Sequence, residues 1–219
     1  MDGPSEITFA AQRRAMVEEQ LRRRGIRDER VLAAMGEVPR EQFVGPQRAG
    51  EAYSDRPVPI GREQSTSQPY MIAAMLQAAM IGPTDRVLEI GAGSGYQTAV
   101  LAKIAAHVYA VERHDQLTRS AGQALERLHI DNVTLVTGDG TLGLPQFAPY
   151  NAIIVSAAAP RVPPALIAQL AEGGRLAVPV GSGEDQFLQV VRKEKGGTSV
   201  VTLEGCRFVP LIGEQGFVG

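Results

Sequence analysis

The sequence predicts a doubly wound α/β fold around a mostly parallel, twisted sheet with flanking helices, and three observations predict it. The first is the stretch from Arg86 to Ile104. An apolar run (Val87, Leu88, Ile90) enters three glycines at alternate positions, and Ala99, Val100, Leu101 and Ile104 then follow at helical spacing. That pattern is a strand, a tight turn and a helix N-terminus. The second is the alternation of strand and helix beyond Gly82-Pro83, with strands beginning near residues 86, 107, 133 and 151. The third is Asn151 to Val155, a continuous apolar run of the kind needed by a strand buried on both faces.

In chain order, residues 7–24 carry Phe9, Met16, Val17 and Leu21 on one helical face. Asp28 caps a second helix with Val31, Leu32 and Met35 inward, closed by Gly36 and Pro39. A long polar segment from Gly45 to Gln68 is broken by Pro46, Gly50, Pro57, Pro59 and Gly61, and loops of this length are usually functional or disordered. Met71, Ile72, Met75, Leu76 and Met80 form a helical stripe that belongs in a core. Residues 1–80 therefore read as a helical cap and substrate-side loop, residues 81–219 as the α/β core, and the whole as one domain. After a helix through Leu166, Ile167 and Leu170, a fifth strand runs from Gly173 to Val180. A C-terminal hairpin turns at Lys195-Gly196-Gly197 between Phe187–Val191 and Val200–Leu203, and Phe208 to Leu211 offers one more short strand.

The chain has 219 residues, 44% hydrophobic and 21% charged, which are ordinary globular values. A net charge of −2 argues against nucleic-acid binding. The only tight basic cluster, Arg22-Arg23-Arg24, precedes Gly25 at a helix C-terminus, where cations complement the helix dipole. A lone cysteine, Cys206, excludes an internal disulfide, suits a reducing cytoplasm and reads as a small buried strand residue. No apolar run reaches membrane-spanning length, and residues 1–20 lack the pattern of a signal peptide.

The chemistry gathers at the strand ends. Gly91, Gly93 and Gly95 let backbone approach a ligand, and two of them can take positive φ without steric cost. Tyr96 stands where a dinucleotide fingerprint needs a third glycine or alanine, so the turn fits a pyrophosphate poorly. Glu89, two residues before the turn, suits a cation instead. Glu112 ends the next strand, where a carboxylate accepts from ribose hydroxyls. Asp139, in Gly138-Asp139-Gly140 after the third strand, is placed to accept from an adenine amino group. Any one of these acids alone is a solvated strand end; three at successive strand ends make a site. The three histidines lack metal-ligand spacing. Neither a nucleophile elbow nor a P-loop is present.

An acid followed by alternate glycines resembles the S-adenosylmethionine site of Rossmann-like methyltransferases, in which the cofactor brings the reactive group and the protein binds and orients it. Further blocks narrow the resemblance. Ser67-Gln68-Pro69-Tyr70-Met71, the stretch Val87 to Tyr96, Gly138-Asp139-Gly140, Ala148 to Pro160, Gly173-Gly174-Arg175-Leu176, Pro179-Val180-Gly181 and Phe208-Val209-Pro210-Leu211 together resemble the protein-L-isoaspartate O-methyltransferase family over nearly the whole chain. Thr66, Asn151 and Phe217 depart from the family pattern, and the residues after Leu211 match weakly.

The resemblance implies methylation of the misplaced carboxylate of isoaspartyl residues in damaged proteins and peptides. The methyl ester then closes to a succinimide, whose hydrolysis returns part of the material to aspartate. It implies Ser67 as the catalytic serine. Glu89, Gly91, Ala92, Gly93, Ser94, Gly95, Glu112, Asp139 and Gly140 fall at the cofactor, and Thr66, Ser67, Val155, Ser156, Ala157 and Ala158 at the substrate. Composition and spacing give a cytoplasmic protein with no metal, nucleic-acid or membrane partner, and a monomer is expected. The residues alone leave open a methyltransferase acting on another small molecule or protein, and a cofactor-binding module without turnover. They also leave Ser67 open as an N-terminal cap of the following helix.

Overall fold

The computed structural model describes residues 6–218. Helix α1 (Glu6–Ala15) continues through a π-helical turn, Met16–Leu21, and a 3-10 turn, Arg22–Arg24, that ends at Gly25 with φ +97°. Helix α2 (Glu29–Glu37) is capped by the Asp28 side chain, which accepts from the Arg30 N–H at 3.0 Å. The long polar segment is more ordered than its composition suggests. It holds a 3-10 helix, Pro46–Glu51, and an antiparallel hairpin of β1 (Val58–Gly61) and β2 (Gln64–Thr66). Helix α3 (Pro69–Ala79) then leads into the sheet.

Seven strands form that sheet: β3 (Arg86–Ile90), β4 (His107–Glu112), β5 (Val133–Thr137), β6 (Tyr150–Val155), β7 (Leu170–Ser182), β8 (Asp185–Glu194) and β9 (Gly197–Gly205). Their spatial order is β5-β4-β3-β6-β7-β8-β9. The first five are parallel, and β8 and β9 add an antiparallel hairpin at one edge. Helices α4 (Tyr96–Ile104), α5 (Asp115–Arg127) and α6 (Pro164–Ala168) connect the parallel strands.

Strand alternation feeds two cores. Val87, Ala152 and Ile154 pack with the N-terminal helices, α3 and α4, while Leu88, Ile90, Ile153 and Val155 pack with Leu166 and Leu211 on the other face. The helices before β3 are thereby a cap built onto one face of the sheet.

Four local expectations are corrected. Met80 follows α3 in a left-handed conformation and is 60% exposed, because the helix has already ended. Strand β7 starts at Leu170 rather than Gly173, since Leu170 pairs with Tyr150 ahead of an irregularity in the ladder. Phe208 to Leu211 forms no strand, only an isolated bridge between Pro210 and Ala158. Cys206 lies just past β9 and is half-buried, not a buried strand residue.

Candidate active site

Strand register assembles the site. Ile90 pairs with Val111 on one side and Val155 on the other, so the next residues, Gly91, Glu112 and Ser156, stand level at the carboxyl edge of the sheet. Strand order reverses here, with β4 on one flank of β3 and β6 on the other, and doubly wound sheets open a crevice at such a point.

All three motif glycines have positive φ: +86° at Gly91, +56° at Gly93 and +87° at Gly95. At Gly95 a Cβ would also stand 2.9 Å from the Ala121 Cβ, so α5 can approach the turn only because that atom is missing. Gly140 is bound by the same logic, since a Cβ there would overlap Ile90. Tyr96 opens α4 fully buried, edge-on to Phe43 and beneath the Arg40 guanidinium, and so serves the cap rather than the crevice.

The crevice is lined by the glycine turn (Gly91, Ala92, Gly93, Ser94), by Glu112 and Gly140, and by Thr66, Ser67, Ser156 and Ala157. Glu112 accepts from the Gly93 N–H and the His114 N–H, each at 2.9 Å, which ties the turn to the end of β4. A second, more open cleft shares Ser65, Ser67, Ser156 and Val209 with the first. It extends past Gln68 and Tyr70 toward Phe187, Glu204 and Phe208 at the base of the C-terminal hairpin. Ser65, Ser67, Ser156 and Val209 therefore stand where the two clefts meet.

Other candidate residues lie behind this lining. Glu89 is fully buried, accepting from Gln97 Nε2 at 2.9 Å and Thr98 Oγ1 at 2.6 Å. Burial pushes its pKa up to about 8 against those two hydrogen bonds, with the nearby Glu112 charge adding to the rise. Gly95, Val155 and Ala158 shape the backbone without lining the crevice. Asp139 turns to the C-terminal segment instead, accepting from the Thr141 N–H and hydroxyl and from the Glu214 N–H at 2.8 Å. Burial raises its pKa, but those hydrogen bonds outweigh it and hold the carboxyl below its usual range.

Some lining residues lie outside those the sequence placed at the site. Gln97 sits in the first turn of α4, and Val209 to Ile212 cross the crevice as irregular chain, held by the Asp139–Glu214 and Thr141–Gln215 contacts. Ser67 does not cap α3: Gln68 occupies the cap position without a side-chain bond, and Pro69 is the first helical residue. The Ser67 hydroxyl has no partner among the described residues, while its carbonyl accepts from Arg40 Nη2 at 2.7 Å.

Residues 11–216 match the sequence profile of the protein-L-isoaspartate(D-aspartate) O-methyltransferase family. The chain belongs to this family. It is 52% identical over 214 residues to the protein-L-isoaspartate O-methyltransferase of Koribacter versatilis, covering 98% of this chain and 96% of the relative. It is 49% identical over 212 residues to that of Trichlorobacter lovleyi, with 96% and 98% covered. A solved protein-L-isoaspartate O-methyltransferase superposes with a TM-score of 0.81 at 31% identity, covering 93% of this chain and 67% of the other. A Plasmodium falciparum protein assigned to the same activity, in complex with S-adenosyl-L-homocysteine, gives a TM-score of 0.79 at 27% identity, with 91% and 98% covered. The fold is thus the Rossmann-like methyltransferase fold, and the crevice suits the family's cofactor: a carboxylate at the end of β4 beside a glycine-rich turn whose only side chains are small.

Proposed function

We propose that the two clefts divide the family reaction between them, the glycine-turn crevice holding the cofactor and the open cleft holding an extended peptide. The activity is S-adenosylmethionine-dependent methyl esterification of the free carboxylate of L-isoaspartyl residues in damaged proteins. The observation that carries the assignment is the junction, where the free hydroxyl of Ser67 stands between the clefts.

When bound, S-adenosylmethionine supplies an electrophilic methyl group on a sulfonium. Gly91, Ala92, Gly93, Ser94 and Gly140 would pack against it, Glu112 would accept from its hydroxyls, and buried Glu89 would back the turn through its bonds to Gln97 and Thr98. Gly95, Asp139, Val155 and Ala158 hold the surrounding backbone in place. The attacking carboxylate needs no strong base because it is already ionised near neutral pH. The protein's task is to remove part of its water and aim one oxygen. Ser67 donates a hydrogen bond that fixes that orientation, Thr66 and Ala157 border the substrate, and no covalent intermediate with the protein forms.

Selectivity follows from geometry. In isoaspartate the reacting carboxylate is one methylene closer to the backbone, and the backbone is one carbon longer. A cleft that holds the peptide backbone therefore misplaces an ordinary aspartate by more than an ångström, which costs about a hundredfold in rate. Matched isoaspartyl and aspartyl peptides, assayed with labelled cofactor, should differ in kcat/KM by at least that factor. Comparable rates would remove the repair assignment. Glu112→Ala should weaken cofactor binding by about 1.5–3 kcal/mol, the range for a charged hydrogen-bond partner lost. Undiminished affinity by calorimetry would take Glu112 out of the site.

The chain acts in this reading as one methyltransferase unit over residues 1–219, as a cytoplasmic monomer, without nucleic acid. The lone half-buried cysteine and the net charge of −2 support it. No helix among the described residues is long and apolar enough to cross a membrane.

A further inference from the structure

Ser65, Ser67 and Ser156 each bring a hydroxyl to the junction, and Ser156 is the one among them with a side-chain donor beside it. The Ser156 backbone N–H donates to the Ile90 carbonyl at 2.8 Å, so its hydroxyl is the only donor it has left. That hydroxyl oxygen accepts from Gln97 Nε2 at 2.8 Å. The same nitrogen donates to Glu89 Oε1 at 2.9 Å, which commits both amide hydrogens of Gln97.

One direction of this chain of bonds satisfies every group in it. Thr98 Oγ1 lies 2.6 Å from the other Glu89 oxygen, Oε2, and a proton between that pair serves whether the carboxyl is neutral or ionised. With the carboxyl ionised, or with its proton on the Thr98 side, Oε1 is an acceptor and takes the Gln97 NH2. Ser156 therefore meets a donor, and its oxygen must accept. Its own hydrogen has to go elsewhere, and no described residue takes it. The result is a hydroxyl whose proton is left for whatever occupies the junction.

We propose that Ser156 is a second orienting donor to the reacting carboxylate, opposite Ser67, with Gln97 and Glu89 as positioning residues that set its polarity. The proposal rests on the reading of the junction given above and adds a specific chemical role. One donor fixes a carboxylate at a point and leaves it free to turn about that bond. Two donors on separate elements, the segment before α3 and the turn after β6, fix its plane.

The test is steady-state methylation of an isoaspartyl peptide at saturating cofactor by the full chain and its variants. Ser156→Ala should lower kcat/KM by about tenfold or more, as expected for a lost bond to a charged group, with cofactor affinity and thermal midpoint unchanged. Ser156→Thr keeps the hydroxyl and should retain most of the activity. In a Gln97→Met background, Ser156→Ala should cost less than in the parent, because the hydroxyl is no longer held as an acceptor there. Parental kcat/KM in Ser156→Ala would overturn the proposal while leaving the methyltransferase reading intact. Equal losses in the alanine and threonine variants would overturn it too, since shape rather than the hydroxyl would then matter. Equal costs of Ser156→Ala in both backgrounds would remove Gln97 from the role. A parent chain inactive on the isoaspartyl peptide would instead defeat the reading of the junction itself.

Discussion

Ser67→Ala is expected to lower kcat by about a hundred- to a thousandfold while leaving cofactor affinity and the thermal midpoint near those of the parent chain. The magnitude is that of removing one preorganised donor from a site where charge is redistributed. The separation from stability follows from the start of α3. A serine that capped this helix would cost about 0.5–2 kcal/mol of stability on replacement. Here Gln68 holds the cap position, Pro69 needs no N–H partner, and the Ser67 hydroxyl bonds to none of the described residues. Only the Ser67 carbonyl is structural, and alanine keeps it. The stability change should therefore stay within about 0.5 kcal/mol. Measuring kcat, cofactor affinity and melting on this one variant separates the roles: normal turnover in a destabilised protein would make Ser67 a structural residue after all.

What the sequence made legible was whatever depends on neighbours in the chain. The strand entering Gly91–Gly95 and the helix leaving it are local patterns, and the register of parallel strands then forces Glu112 and Ser156 to the same edge. The β1–β2 hairpin was hidden because its turn uses Arg62 and Glu63 at φ +53° and +58°, where a sequence rule looks for glycine or asparagine. Gln97 looked like one more helical residue, and only the fold shows it between Glu89 and Ser156. The placement of Val209 to Ile212 over the crevice depends on backbone bonds that Ala158 exchanges with Val209 and Leu211, and on the Asp139 carboxylate reaching Glu214, 75 positions away. Contacts that distant leave no periodicity. They also explain why Asp139, legible as an acid at a strand end, has its oxygens engaged by the chain itself.

Arg40 is the other residue whose loss should be severe, and it lies outside both clefts. It is fully buried and has no carboxylate partner among the described residues. Burial drives its pKa down, with the Tyr96 and Tyr53 hydroxyls opposing. What keeps the guanidinium in place is geometry: Nε donates to the Ala52 carbonyl at 2.7 Å, Nη1 to Thr66 Oγ1 at 3.2 Å and Nη2 to the Ser67 carbonyl at 2.7 Å, with the Tyr96 ring 4.6 Å from Cζ. One side chain thus joins both ends of residues 52–67 and holds the backbone of the proposed catalytic serine. Arg40→Met recovers the cost of burying the charge but leaves two carbonyls dry at about 1–3 kcal/mol each. The unpaired carbonyls should win, for a net loss of about 3 kcal/mol. In a chain of this size that lowers the thermal midpoint by roughly 6–12 °C. Arg40→Lys is the sharper variant, because an ammonium keeps the charge but cannot span three acceptors in the plane of a fork. With Ser67 less firmly held, kcat should fall further than KM rises, while cofactor affinity, which depends on the glycine turn and Glu112, should hold. Parental melting and parental kcat in Arg40→Lys would show that residues 52–67 keep their shape without this clamp.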